Sequence, residues 1–556
     1  MATLIVVLAG LTWRVVRHLL AFPIWGDEAF VAVNFVTRDY AGMIRPLDYG
    51  QIVPLMFMWA ELAVTHVWGL GELALRAVPF AAGVISLLLF WRFANRQLPV
   101  RAGFLATGMM AAAYYPVRHA SEVKPYATDL LVALVLIHLT WRVLARPRNF
   151  LTWSMLAVAI GASVWASYPA IFIGCTIVSL LVVRAVLGAF AGAAPSERES
   201  ARHAAPVAKA RLPITGAMGV GAVFAINGAA MYLTYASPHA QAASKLTQIP
   251  MWAETFPPIE KIWRMPRWLW DTHTGNMLAY PVGGKEPASL ATLLLVIVGS
   301  VALWKKGRRE LLWLLLGPLV FTFAAAMLKK YPYGGSARTS LYMAPAFCLL
   351  AGYGFYVLLK RLAPLRHRWL QWMPSGVRHI DWRATPAMLA CALLFIGICG
   401  GGVIADIIAP ARSLEVAKSR RLVRDIASQT HANDRWVVFN ATTPVDYAPY
   451  LGDWMGVGGQ WVFDVMRFAP VKCDWAPRPN DVEPPSGRLI LLAYEYTGKK
   501  ATFPDAQLDA YVTALETRFG TPNMQREVIK EKNKPNEPPQ VEAQRVYTFP
   551  ESAKDR

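Results

Sequence analysis

The sequence predicts an all-α polytopic membrane domain of about eleven transmembrane helices, with interfacial helices in its first external loop, followed by a C-terminal soluble α/β domain. Three observations carry this. Hydrophobic residues make up 55% of the 556 and charged residues only 17%, against about 25% charge in soluble domains. The apolar residues are bunched into runs close to the roughly 20 residues that a bilayer crossing needs. The formal net charge of +20 sits largely in short loops between those runs, so it marks membrane sidedness rather than nucleic-acid binding.

Taken in order, the expected spans are 2–22, 74–94, 102–117, 125–144, 150–166, 169–187, 212–235, 288–304, 311–328, 339–359 and 384–407. Ile52 to Leu70 is nearly long enough to cross but carries Glu61 and His66. If it crossed, Arg92/Arg96/Arg101, Arg142/Arg146/Arg148, Lys305/Lys306/Arg308/Arg309 and the cluster from Lys360 to Arg383 would all lie outside, against the positive-inside rule. It is therefore expected to stay in the interface, within an external loop spanning 23–73. The N-terminus is then cytoplasmic, and the outward regions are 23–73, 118–124, 236–287, 329–338 and everything after about 408. A membrane domain over 1–408 and an extracytoplasmic α/β domain over 409–556 follow. In the second, Arg435 to Ala441 and Arg488 to Tyr496 have the character of buried strands, and Asp505 to Phe519 has helical periodicity. The stretches 192–211 and Lys530 to Gln540 are expected to be loose. Cys175, Cys348, Cys391 and Cys399 lie in apolar runs and only Cys473 in a polar one, so no intramolecular disulfide is expected.

The chain contains no P-loop, HExxH, CxxC or GxSxG and no GxGxxG after a strand, so any reaction must draw on an already activated substrate. His119, His239 and His273 lack ligand spacing, and neither a metal nor a cofactor is expected. Three outward-facing clusters remain. Trp25-Gly-Asp27-Glu28 follows the first span; the two acids project about 100° apart on a helix, so only one can aim into a given cavity. One of them as a general base and both as a helix N-terminal pair are open alternatives. Arg118-His-Ala-Ser-Glu122-Val-Lys124-Pro-Tyr126-Ala-Thr-Asp129 enters the fourth span, where Asp129 lies inside an apolar run and Lys124 suits a phosphate. A Glu–Lys surface pair with a buried Asp is the alternative. Lys329-Lys-Tyr331-Pro-Tyr333-Gly-Gly-Ser-Ala-Arg338 offers a glycine turn, tyrosines and a guanidinium as a phosphate cradle, or else a headgroup anchor. Glu72 and Arg76, four apart, are expected to pair at a helix end, while snorkelling and a start site chosen too late are open alternatives for Arg14 and Arg17.

In order and sidedness these clusters, with Gly69-Leu-Gly-Glu72-Leu-Ala-Leu-Arg76-Ala-Val-Pro79, resemble the GT-C polytopic glycosyltransferases over residues 20–345. The pattern is similar to bacterial protein mannosyltransferases that use dolichyl-phosphate-mannose-type donors and to the aminoarabinose-to-lipid A transferases. The resemblance implies inverting transfer of a sugar from a polyprenyl-phosphate donor to an extracytoplasmic acceptor (protein, lipid A or envelope glycan) at the periplasmic side of a bacterial inner membrane. It implies Asp27, of the pair Asp27–Glu28, as the base, with Glu122 or Asp129 in support. Lys124 and Arg338 would hold the donor phosphate, with Tyr126, Tyr331 and Tyr333 around it. Relatives often carry Lys or His where Gln51 precedes Ile-Val-Pro54-Leu55, which shifts phosphate binding onto Lys124 and Arg338. A transporter or flippase, and a non-catalytic membrane assembly protein, are the competing readings; the absence of an internal repeat counts against the first.

Overall fold

A computed structural model describes residues 1–190, 212–244, 254–281, 288–362, 386–408, 410, 416–439, 457–471, 473–475, 478–498, 501–502, 505–532 and 540–550. The loop 192–211, most of the Lys360 to Arg383 cluster and the middle of Lys530 to Gln540 lie outside the described residues.

The first span, α1 (Ala2–Leu19), leads into α2 (Gly26–Thr37), α3 (Leu55–Trp68) and the single turn α4 (Glu72–Leu75) before the second span, α5 (Ala77–Gln97). Then come α6 (Val100–Ala112), the short α7 (Tyr114–Arg118), α8 (Tyr126–Ala145), α9 (Phe150–Ala166), α10 (Ala170–Phe190) and α11 (Ile214–Met231). The membrane portion closes with α12 (Ser237–Ser244), α13 (Met265–Thr274), α14 (Ala288–Lys305), α15 (Arg309–Met327), α16 (Ala344–Leu362) and α17 (Pro386–Ile408). Every run expected to span is helical, and among the described residues seven helices are long and apolar enough to cross a bilayer. The chain is a multi-pass membrane protein. With 14 residues, α3 is about 21 Å long, short of the roughly 30 Å hydrocarbon core. Its Glu61 is buried within the protein, and that burial pushes the carboxyl well above the usual carboxylate range.

Close helix crossings build the membrane core. A Cβ on Gly299 of α14 would come within 2.0 Å of the Leu350 carbonyl oxygen on α16, and one on Gly354 within 2.0 Å of the Leu295 oxygen, so backbone meets backbone there. Of the alternatives for the two arginines of α1, snorkelling does not hold, since both are buried within the protein. Arg14 is buried and donates to the carbonyls of Gly10, Met110 and Ala111, the last two being end groups of α6 where that helix breaks before α7. Carbonyls left over in a bilayer have no water to turn to, and the guanidinium supplies what they lack. Arg17 pairs with Asp406 of α17 at 2.5 Å and donates to the Pro410 carbonyl, tying the first span to the last.

Beyond α17 come α18 (Val416–Ser428), β1 (Arg435–Phe439), α19 (Val457–Phe468), β2 (Cys473–Trp475), β3 (Leu489–Gly498), β4 (Ala501–Thr502), α20 (Asp505–Phe519), β5 (Asn523–Lys532) and β6 (Gln540–Thr548). The sheet order is β2-β1-β3-β6-β5, with β1 parallel to β2 and β3 and the remaining pairs antiparallel. Alternation along β1 and β3 sends Val437, Leu489 and Leu491 against Leu508 and Leu515 of α20 on one face. Trp436, Ile490 and Leu492 go to the other, against Trp461 and Phe463 of α19. That second core does not stop at the sheet: it continues into Ala29, Val33 and Phe35 of α2 and Phe57 and Leu62 of α3.

Candidate active site

The site is assembled from three corners of the chain, beginning with α2. Trp25 is extended (φ −98°, ψ 166°), and its amide donates to Glu28 Oε2 at 3.3 Å, the return half of a capping box. The first helical turn thus places Asp27 and Glu28 side by side, aimed apart as helix geometry requires.

Glu28 turns into the protein and is fully buried. Arg76 Nε donates to its Oε1 at 2.9 Å and Nη2 to its Oε2 at 2.7 Å, while the Val123 amide donates to Oε1 at 2.7 Å. Arg76 also donates to the carbonyls of Phe22 and Pro23, so one guanidinium fixes the whole entry into α2. The expected Glu72–Arg76 pair is therefore replaced: Glu72 faces Arg420 at 2.6 Å and Arg467 at 3.2 Å instead. Spacing by four satisfies local geometry, but Glu72, its side chain only 12% exposed, is engaged by Arg420 and Arg467, and Arg76 meets the fully buried Glu28 instead.

Asp27 turns the other way. Lys124 Nζ lies 2.8 Å from Oδ1 and Arg338 Nη1 2.9 Å from Oδ2. Lys124 comes from the corner between α7 and α8, where Glu122 is extended and the Lys124 amide returns to its carbonyl. Its ammonium also donates to Gln51 Oε1 at 3.0 Å, so Gln51 touches the same cation. Burial pushes the Lys124 ammonium below the ordinary lysine range, and Asp27 opposes the shift.

Arg338 comes from the corner between α15 and α16. Gly334 and Gly335 hold φ of 71° and 68° there, and a Cβ on Gly334 would stand 2.3 Å from Thr272 Cγ2. Only glycine meets both the left-handed backbone and the close approach. The corner is pinned to the 254–281 segment by the Tyr333 amide to the Thr255 carbonyl and by Asn276 to the Gly335 carbonyl. Tyr331 donates to the Thr339 carbonyl and the Tyr333 hydroxyl meets His273 Nε2 at 3.1 Å, so both tyrosines shape this corner.

The remaining expected residues ring the centre at different depths. Tyr126 is within electrostatic reach of Arg338, Asp27, Glu122 and Asp129. Glu122 is bound by His119 Nδ1 at 2.7 Å and Arg118 Nε at 3.3 Å. Asp129, one turn further along α8, is buried with Oδ1 lacking a hydrogen-bond partner and Ser167 alongside. Among the described residues, no three His, Cys, Asp or Glu side chains converge as metal ligands would. Sequence reasoning missed Arg76 as the partner of Glu28. A lone arginine at the outer end of an apolar run was the available signal, since such a charge needs an opposite one.

The arrangement has a simple charge balance. Lys124 and Arg338 together exceed Asp27 by one positive charge, while Glu28–Arg76 balances itself. A monoanionic ligand brings the centre to neutrality. If that ligand gains a second negative charge while Asp27 takes up a proton, neutrality is preserved.

No protein-family model and no curated protein sequence matches the chain. Among solved structures, ArnT from Cupriavidus metallidurans bound to undecaprenyl phosphate aligns over 99% of this chain and 98% of its own, at 12% identity and a TM-score of 0.46. The oligosaccharyltransferase of Archaeoglobus fulgidus in the apo form aligns over 96% of this chain and 80% of its own, at 12% identity and a TM-score of 0.50. What this chain shares with that oligosaccharyltransferase is its architecture, the GT-C-like polytopic fold expected from the sequence.

Proposed function

We propose that the protein is an integral-membrane glycosyltransferase that moves a sugar from a polyprenyl-phosphate donor to an extracytoplasmic acceptor, with inversion at the anomeric carbon. The observation that carries this reading is the Asp27 carboxylate held between Lys124 and Arg338. A bacterial inner-membrane location follows from the resemblance, and the loop charges support a cytoplasmic N-terminus with the site on the opposite side.

The donor's phosphodiester enters with one negative charge and draws Lys124 and Arg338 towards itself. Asp27, relieved of its two partners, becomes available to an acceptor hydroxyl. The acceptor oxygen attacks the anomeric carbon and its proton passes to Asp27. The bond from that carbon to the phosphate oxygen breaks, and the electron pair leaves with polyprenyl phosphate. The charge added to the phosphate equals the charge lost from Asp27, so the poorly hydrated centre stays balanced throughout. Preorganised charges of this kind are a large catalytic factor, each donor accounting for about 3 kcal/mol. Glu28, enclosed by Arg76 and two amides, acts in this mechanism as an anchor beside the base. Glu122 or Asp129 supports the centre from α8 and the turn before it.

The test is replacement of Asp27 by Asn in cells otherwise lacking the protein, with mass spectrometry of envelope glycans. Transfer should fall by about 10²–10⁴-fold with normal accumulation of the protein. Glycans identical to those made with the unaltered chain would overturn the assignment.

A further inference from the structure

A helix at the surface of a membrane protein ordinarily keeps one polar face in water or headgroups. In α2 every residue from Gly26 to Phe35 is buried. What covers it is α19 of the C-terminal portion, its most extensive helical neighbour, through Trp461, Val462, Phe463 and Val465. The cover is itself held in place, since Trp461 stacks near Tyr494 of β3 at 5.5 Å between ring centres.

A polar connection runs beside this apolar one. Asp464 of α19 is fully buried, accepts from Gln460 at 3.0 Å and lies 3.5 Å from Arg420 Nε of α18. Arg420 reaches Glu72 at 2.6 Å, and Arg467 donates to the same Glu72 oxygen at 3.2 Å. Glu72 opens α4, and Arg76, just past its end, holds Glu28. The residue before Glu28 is Asp27. Two charged clusters, joined only through the backbone of α4, therefore link the C-terminal portion to the residue beside the candidate base.

We infer that the C-terminal α/β portion is a positioning element of the active site: α19 and the Glu72–Arg420–Asp464–Arg467 cluster hold α2 so that Asp27 faces Lys124 and Arg338. This rests on the transferase reading for the role of Asp27, but the contact itself does not. Lys124 and Arg338 are carried by other corners of the chain, before α8 and before α16, and neither belongs to the cluster. The cluster is thus expected to govern the base and leave the phosphate-binding groups alone.

The full-length protein in nanodiscs provides the test, with Glu72→Gln, Arg420→Gln and Arg420→Lys. Both Gln variants should raise hydrogen exchange in 26–37 by about tenfold while α5 keeps its protection. Glycan transfer in cells should fall about 100-fold, as expected for a misplaced reacting group. Binding of a polyprenyl monophosphate should not weaken, and Arg420→Lys should restore part of both protection and transfer. Unchanged exchange in 26–37, or exchange rising equally in α5, would overturn the inference. Should the Gln variants fail to accumulate, Arg420→Lys against the unaltered chain carries the same comparison at smaller amplitude. If Asp27→Asn leaves the glycans untouched, the transferase reading fails while the exchange result still decides the positioning.

Discussion

The two sides of the α2 entry use the same chemistry, a carboxylate against cations, and differ in how firmly the cations are held. On the inner side, Arg76 spends its guanidinium on Glu28 and two backbone carbonyls, and Glu28 accepts from two amides besides. On the outer side, Asp27 meets two long side chains from separate corners, and Arg338 remains 15% exposed. The inner pair is saturated and has nothing to offer a ligand. The outer set brings two cations to one carboxylate, at the more exposed end of the pair. Adjacent positions in one helical turn thus differ in how firmly their partners enclose them.

The largest effect that could break this contrast comes from Glu28→Gln. A buried pair broken on one side typically costs about 3–5 kcal/mol. The variant should therefore be markedly destabilised in thermal unfolding of the purified protein, more so than Asp27→Asn. A normally stable Glu28→Gln protein that has lost only transfer would erase the division between the two acids.

Arg338→Ala should act on the outer side alone, cutting transfer by about 10²–10³-fold with near-normal stability, as measured by glycan analysis beside thermal unfolding. Equal loss of transfer and of folded protein would move Arg338 into the framework with Arg76.

The smallest effect is in pH. Burial disfavours the charged form of Lys124, so its proton leaves at a lower pH than an ordinary lysine's, and phosphate holding should fail as pH rises through that lowered range. Arginine at this position keeps its proton, so Lys124→Arg should move the alkaline limb of the transfer profile upwards. An alkaline limb unmoved by the replacement would remove Lys124 from the phosphate site.

Much of this was legible in the sequence because it depends on period and side. Apolar runs became helices, and Asp27 and Glu28 diverge as their adjacency on a helix demands. Strands at Arg435 and Arg488 and the helix over Asp505–Phe519 were written in local patterning. What could not be read was which charge meets which across the chain. Glu72 and Arg76 have the spacing of partners yet each answers a distant residue, Glu72 one that lies 395 positions away. Arg14 and Arg17 resemble snorkelling side chains until the broken end of α6 and the buried Asp406 are in view. Such pairings follow from shared burial, for which neighbouring residues carry no signature.

The enclosure of α2 by a segment hundreds of residues downstream bears on how the molecule is made. When α2 emerges, the residues that will cover it have not yet been translated, and the helix bearing Asp27 must wait with its apolar surface uncovered. Long-range closures of this kind are slow and come last. A chain cut short before α19 would retain its membrane helices but leave α2 without that cover.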